Sequence, residues 1–212
     1  MSYKEALKQG KIERSNLEVN KEFLKELKVL KTNHKILEIG CGAGSMTAYL
    51  AKKGYQIIGT DLSKDMIDYA KKTHPAVEFK KMSGDKLNFK NESFDIVLSF
   101  DLVEHIPDVE KHFKEVNRVL KKDGKYIFVT PNKLVNVPYN IIKNKSLNGW
   151  KKHHMSVQTK KSLRKLCKKT GFEVEIKKVK AYEEYIDKKL RFPLNIMAKK
   201  IRTALHAVAI KK

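Results

Sequence analysis

Three glycines at every second position, Gly40, Gly42 and Gly44, stand directly behind an acid, Glu38, in the run KILEIGCGAGSMTAYL. Glycine reaches positive φ and lets a ligand approach where a Cβ would collide. The spacing therefore suits a loop that presents backbone to a small molecule. Asp61 comes 21 residues after Gly40, and its two carboxylate oxygens can accept both hydroxyls of a diol. The competing reading is that Asp61 or Ser63 begins the next helix, both being good N-cap residues. Gly84-Asp85 offers a second acceptor, or a bare turn. For proton removal from a hydroxyl the candidates are His154, His105 and Asp101, in that order; a histidine in a loop is also compatible with plain solvation. No cluster of His, Asp or Glu stands out as a metal site, so a metal-free protein is expected.

The elements that must hold these residues alternate strand and helix. Ile36, Leu37 and Ile39 form a short apolar, β-branched strand, and Met46, Tyr49 and Leu50 follow at helical spacing with Gly54 as the stop. Tyr55 to Thr60 reads as a second strand, Ala76 to Met82 as a third, and the almost uniformly apolar Phe94 to Phe100 as a central strand buried on both faces. Pro107 suits the first turn of a helix from Asp108 to Lys122, with Phe113, Val116, Val119 and Leu120 as its core face and Gly124 as its end. Lys125 to Thr130 is the fifth strand. A helix from Thr159 (N-cap) to Thr170, closed by Gly171, leads to a sixth strand, Phe172 to Lys180, and Leu205 to Ile210 is the last. Ahead of all this, Asn16 to Leu30 puts Val19, Phe23, Leu27 and Leu30 on one helical face. Strand, glycine turn and helix in this order make a ligand crevice beyond the strand ends of a doubly wound sheet. A dinucleotide fingerprint would carry a third glycine at position 45, which is Ser45.

Glu38-Ile39-Gly40-Cys41-Gly42-Ala43-Gly44 resembles the first motif of the class I S-adenosylmethionine-dependent methyltransferases. GTDLSKDMIDYAKK resembles that family's second segment, and Asp101-Leu102-Val103-Glu104-His105-Ile106-Pro107-Asp108 is similar to the fourth motif of its ubiquinone and menaquinone biosynthesis (methyltransferase type 11) members. His154 with the following helix and Thr-Gly-Phe-Glu-Val is similar to the same enzymes. The resemblance implies an α/β Rossmann-like seven-stranded sheet of order 3-2-1-4-5-7-6, with strand 7 antiparallel, and S-adenosyl-L-methionine as cofactor. It implies contacts to that cofactor from Glu38, Gly40, Cys41, Gly42, Gly44, Asp61, Leu62, Met66, Gly84, Asp85 and Ser99, with Asp61 on the ribose and Asp85 on the adenine amine. Cys41 is also readable as a small filler, and Met66 and Leu62 as plain packing. The N-terminal helix within 1–33 is a cofactor cover or a packing helix, and the insertions 131–158 and 182–203 are expected to cap the substrate.

With 212 residues the chain is read as one domain, residues 1–212. The start MSYKEALKQGK has no hydrophobic leader core, and two cysteines, Cys41 and Cys167, suit a reducing cytoplasm. The net charge of +22 is uneven: Lys143 to Lys212 holds 21 Lys and Arg against 5 Asp and Glu. That asymmetry points to RNA or an anionic membrane surface as a partner of the basic C-terminal third. Only five of the 46 basic residues are arginine, which suits a solvated lysine surface better than bidentate phosphate recognition. The expected activity is methyl transfer to a small molecule, an aromatic or prenylated hydroxyl. The same-class alternative is methylation of RNA or protein. The Asp/Asn-Pro-Pro-Tyr of amino-group nucleic-acid enzymes is absent, since Ser99-Phe100-Asp101-Leu102 stands there. A nicotinamide-dependent oxidoreductase and a non-catalytic binding subunit are the alternatives of another class.

Overall fold

A computed structural model describes residues 17–135, 137, 155–180, 184 and 204–212. His154 and the larger parts of the insertions 131–158 and 182–203 lie outside the described residues. The described elements are α1 (Leu17–Leu27), β1 (Lys35–Ile39), α2 (Ser45–Lys52), β2 (Gln56–Asp61), α3 (Lys64–Thr73), β3 (Glu78–Lys81), β4 (Phe94–Phe100), a 3-10 turn (Val103–His105), α4 (Val109–Val119), β5 (Leu120–Pro131), α5 (Lys160–Lys169), β6 (Phe172–Lys177) and β7 (Ala204–Lys211). The seven strands form one sheet of order β3-β2-β1-β4-β5-β7-β6. Strands β1 to β5 pair in parallel, and β7 runs antiparallel to both β5 and β6. The expected order and the reversed strand are both present.

Alternation along the strands sends side chains to two cores. Leu37, Ile39, Val97, Tyr126, Phe128, Leu205 and Ala207 face Phe113, Val116 and Val119 of α4 and Leu163 and Cys167 of α5. Ile36, Ile96, Leu98, Phe100, Ile127, Val129 and Val208 face Phe23 and Leu24 of α1 and Met46 and Leu50 of α2. Each fully buried Phe, Val or Leu contributes about 1.5–3 kcal/mol relative to exposure, so these two layers fix which way each strand faces. A smaller cluster of Cys41, Ile67, Ala70 and Phe79 closes the β2–β3 side.

Several boundaries differ from the sequence expectation, among them β6, which ends at Lys177 and not Lys180, and the ends of two helices. Helix α4 stops at Val119, not at Lys122, because Leu120 turns extended at φ −73, ψ 140. Leu120 pairs with Phe94 and is fully buried, so sheet pairing takes it from the helix. The left-handed residue in the following turn is Asp123 (φ 61), and Gly124 continues the strand. Helix α1 ends at Leu27 rather than Leu30, with Lys28 left-handed at φ 51.

Candidate functional site

The strand ends carry the site. Beyond β1 the loop takes Gly40, Gly42 and Gly44 through φ 71, 55 and 83, values that L side chains rarely adopt. The loop is also closed from behind. A Cβ on Gly44 would lie 2.6 Å from the Phe79 ring, and one on Gly40 would lie 2.8 Å from Leu102. Gly44 caps α2 without any side-chain hydrogen bond, so the first-turn N–H groups of α2 keep their partial positive charge for a ligand. Under the loop, Glu38 is fully buried and accepts a hydrogen bond from the Thr47 hydroxyl of α2, while its backbone carbonyl accepts from Thr60 at 3.1 Å. Cys41 is buried, and its backbone N–H donates to Thr60 at 2.9 Å.

Asp61, ending β2, accepts from the Gly42 N–H and the Ser63 N–H, each at 2.9 Å. Ser63, not Asp61, caps α3, accepting from the Met66 N–H at 3.3 Å. The Asp61 carboxylate thus braces the glycine loop and still has lone pairs for a diol, since an ionised carboxylate accepts about four bonds. Leu62 beside it is 66% exposed, whereas Met66 is 1% exposed and packs inward. After β3, Asp85 accepts from the Ser83 hydroxyl and faces the Lys111 ammonium at 3.4 Å. The Ser83 bond, then Lys111, hold its carboxyl below the usual range.

Ser99 does not present its hydroxyl to the crevice. It is fully buried within β4 and bonds the Tyr126 hydroxyl at 2.7 Å. Tyr126 in turn lies 2.8 Å from Nε2 of His112, whose Nδ1 lies 2.7 Å from the Gly84 carbonyl. A carbonyl only accepts, so Nδ1 carries the proton. Burial pushes the imidazole down to about 4, so at neutral pH Nε2 is bare and accepts from Tyr126. Tyr126 then accepts from Ser99. This directed chain ties β4, β5 and α4 to the turn that carries Asp85. Of its members, His112 and Tyr126 are not singled out by the sequence reading, although His112 occupies core spacing with Val116 and Val119.

At the rim beyond β4, Asp101 sits at φ 52, a left-handed conformation that Asp tolerates better than most residues, and its N–H donates to the Val129 carbonyl at 2.9 Å. Glu104 is buried at 1% exposure and accepts from the Thr130 hydroxyl at 3.0 Å. His105 is outward, with Nε2 3.9 Å from the Glu104 carboxylate, beyond hydrogen-bond reach. The segment entering α5 straps this turn: the Ser156 N–H donates to the Glu104 carbonyl at 3.0 Å and its hydroxyl to the Ile106 carbonyl at 2.6 Å. Asn132 at the end of β5 bridges to Gln158 alongside. Met155, next to Ser156, and Leu134, just past the end of β5, expose 52% and 65% of their surface. The structure therefore gathers Asp101 and His105 at one rim and adds Glu104, Thr130 and Ser156. Among the described residues no group of His, Cys, Asp and Glu could hold a metal ion, and no helix is long and apolar enough to cross a membrane.

The donor set fits a nucleoside joined to an amino acid and not a dinucleotide. Asp61 at the end of β2, Asp85 in the turn after β3 and the uncapped start of α2 all follow the C-terminal ends of adjacent parallel strands, and Ser45 is the first residue of α2. Residues 37–128 match the family described as a methyltransferase domain. The ubiquinone biosynthesis O-methyltransferase of Pelagibacter ubique is 32% identical over 124 residues, 54% of this chain and 51% of that protein. Phosphoethanolamine N-methyltransferase 1 of Arabidopsis thaliana is 32% identical over 132 residues, 60% of this chain and 27% of that protein. The chain spans about half the length of the first of these relatives, 51%, and less of the second. Among solved structures, an S-adenosylmethionine-dependent methyltransferase from Mesorhizobium loti superposes with a TM-score of 0.67 at 18% identity, covering 92% of this chain and 100% of that one.

Proposed function

We propose that the chain is a class I S-adenosylmethionine-dependent methyltransferase, that it methylates a small molecule, and that the acceptor is an aromatic or prenylated hydroxyl. The observation that carries this reading is the rim beyond β4, where an outward imidazole, His105, has its Nε2 3.9 Å from the buried Glu104 carboxylate and the exposed apolar Met155 adjoins the Ser156 strap. A hydroxyl acceptor gains from a positioned base, and an apolar body gains from apolar walls. The relatives include one named an O-methyltransferase and one named an N-methyltransferase, which supports the reaction class more broadly than the acceptor.

When bound, the cofactor supplies a methyl group on a sulfonium, already activated for displacement. The residues of this chain have the remaining work of binding, alignment and exclusion of water. Asp61 takes the ribose hydroxyls while fixing the glycine loop through Gly42. Asp85, held by Ser83 and Lys111, takes the adenine amine. Glu38, Cys41, Met66 and Ser99 act from within the fold, shaping the loop and strand ends rather than offering side-chain atoms. His105 removes the hydroxyl proton, with Glu104 behind it, and Asp101 borders the same opening. His154 is a further base in this reading, brought by the insertion 131–158, which with 182–203 caps the acceptor.

Thermal-shift titration with S-adenosylmethionine, S-adenosylhomocysteine and NADH tests the cofactor. A ligand at 100 times its dissociation constant adds about 2.7 kcal/mol, and a shift with NADH alone overturns the proposal. An acceptor panel of phenols and catechols against phosphoethanolamine, read by transferred labelled methyl, tests the acceptor. With a hydroxyl acceptor, His105→Ala lowers kcat by about 10²- to 10⁴-fold. A second reading has one observation in its favour: the outer face of α5 is strongly basic, with Lys161, Arg164, Lys165 and Lys168 exposed beside Ser162 while Leu163 and Cys167 turn inward. That face supports RNA as acceptor, in which case binding weakens steeply with salt.

A further inference from the structure

Asn20 lies in α1 at 2% exposure, between the buried Val19 and the buried Phe23 and Leu24. Among the described residues its Nδ2 is the one buried side-chain polar atom without a hydrogen-bond partner. A carboxamide nitrogen brings two donors, and burying them unmet costs stability that leucine of similar volume at the same position would not cost. Such a group in an otherwise satisfied interior asks for a partner from outside the chain.

Its height in the fold says which partner. Leu24, one turn further along α1, lines the same groove as Leu50 near the end of α2. Phe23 meets the His206 ring edge-on at 5.0 Å, and His206 pairs with Val129 of β5. Both helices run away from the strand ends, α2 from the glycine loop and α1 toward the start of β1. One turn back, about 5.4 Å, lifts Asn20 to the level of Met46 in the first turn of α2 and of Thr130 and Pro131 at the end of β5. That is the rim, on the side of the loop away from Asp61 and Asp85. A ligand whose nucleoside end is held beyond β2 and β3 extends its other end across β1 toward this amide. In S-adenosylmethionine that end is an amino acid, and its hydrogen-bond acceptor is the carboxylate.

We propose that Asn20 is a cofactor-binding residue, donating from Nδ2 to the carboxylate of the cofactor's methionine portion. The uncapped N–H groups of α2 lie at the same level and favour the same negative charge. The assignment rests on the proposed function, and the test separates the two. Isothermal titration compares S-adenosylhomocysteine with 5′-methylthioadenosine, which keeps the nucleoside and lacks the amino acid, in the wild type, Asn20→Leu and Asn20→Ala. Thermal midpoints without ligand are read alongside. Loss of a hydrogen bond to a charged group weakens S-adenosylhomocysteine about 10-fold or more, leaves methylthioadenosine within about twofold, and leaves the unliganded midpoint of Asn20→Leu at or above that of the wild type. The alanine variant gives the same ligand discrimination. Equal weakening of both ligands, unchanged S-adenosylhomocysteine binding, or a lowered midpoint in Asn20→Leu overturns the role of Asn20. Failure of the wild type to bind either ligand overturns the cofactor reading itself, and this assignment with it.

Discussion

Lowering the pH should unlock the fold through His112 before the carboxylates respond. The folded imidazole gains its proton only near 4, held down chiefly by burial and opposed by the Gly84 carbonyl and then by Asp85. An unfolded histidine does so near 6.5. Between these values the unfolded chain binds the extra proton, so stability falls as pH falls; above about 6.5 neither state is charged and the contribution is flat. Taken from pH 7.5 to 5, the loss is about 2 kcal/mol, growing to about 3 kcal/mol as pH passes 4. For a domain of this size 2 kcal/mol corresponds to about 4–8 °C in the midpoint. The carboxylates of Asp85, Asp95, Glu110 and Glu115 are all held low and add their own losses only below about pH 4.5. His34 is also lowered by partial burial, so the informative quantity is the difference between proteins. Urea unfolding at several pH values between 7.5 and 5 would be run on the wild type, His112→Asn and His112→Leu. Asparagine keeps a donor near the Nδ1 position but cannot titrate. Both variants should be less stable at pH 7.5 and should lose less stability toward pH 5. Equal pH dependence in all three proteins would refute the argument.

Gly44→Ala places a Cβ 2.6 Å from the Phe79 ring at φ 83, and the backbone and packing penalties together make about 2–4 kcal/mol; an unchanged urea midpoint would contradict this. Asp61→Ala removes the brace on Gly42 and Ser63 along with the proposed diol acceptor, so S-adenosylhomocysteine affinity should fall by at least about 10-fold in calorimetry. Arg118 donates to the Leu87 and Phe89 carbonyls at 2.7 Å, to Asn91 at 2.9 Å and to Glu115. Lysine cannot reproduce that fork, so Arg118→Lys should cost about 1–3 kcal/mol, read as a lower denaturant midpoint with unchanged slope.

The parts of the molecule legible in sequence are those governed by local pattern. Glycine spacing and the apolar runs around Ile36 and Phe94 locate the loop and the central strands, and family likeness supplies the order of the sheet with its reversed strand. What escaped is decided by distant partners. Leu120 continues the helical face of α4 in sequence, yet pairing with Phe94 makes it the first residue of β5. Ser99 sits where a ligand contact is expected, but Tyr126, 27 residues on, takes its hydroxyl. Asp61 has the right place for a diol, and nothing local announces that it also holds Gly42. Glu104 stands out in sequence only as part of a string; its partners, Thr130 and the strap at Ser156, are 26 and 52 residues away. His112 and Tyr126 are both polar groups at core positions, a signal that periodicity alone offers once it is asked where their hydrogen bonds end.

The reversed strand β7 enters the sheet between β5 and β6 although it comes after both in the chain. A growing polypeptide leaving the ribosome therefore carries β5 with one edge unpaired, and β6 with no strand partner, until residues 204–211 have been synthesised. Open edges of this kind recruit other chains, and late, distant pairing slows closure. Strand β6 and the outer edge of β5 must wait for this wedge, which exposes them on the nascent protein until the last strand arrives. Stalled chains ending before Ala204 should accordingly remain protease-sensitive in β6.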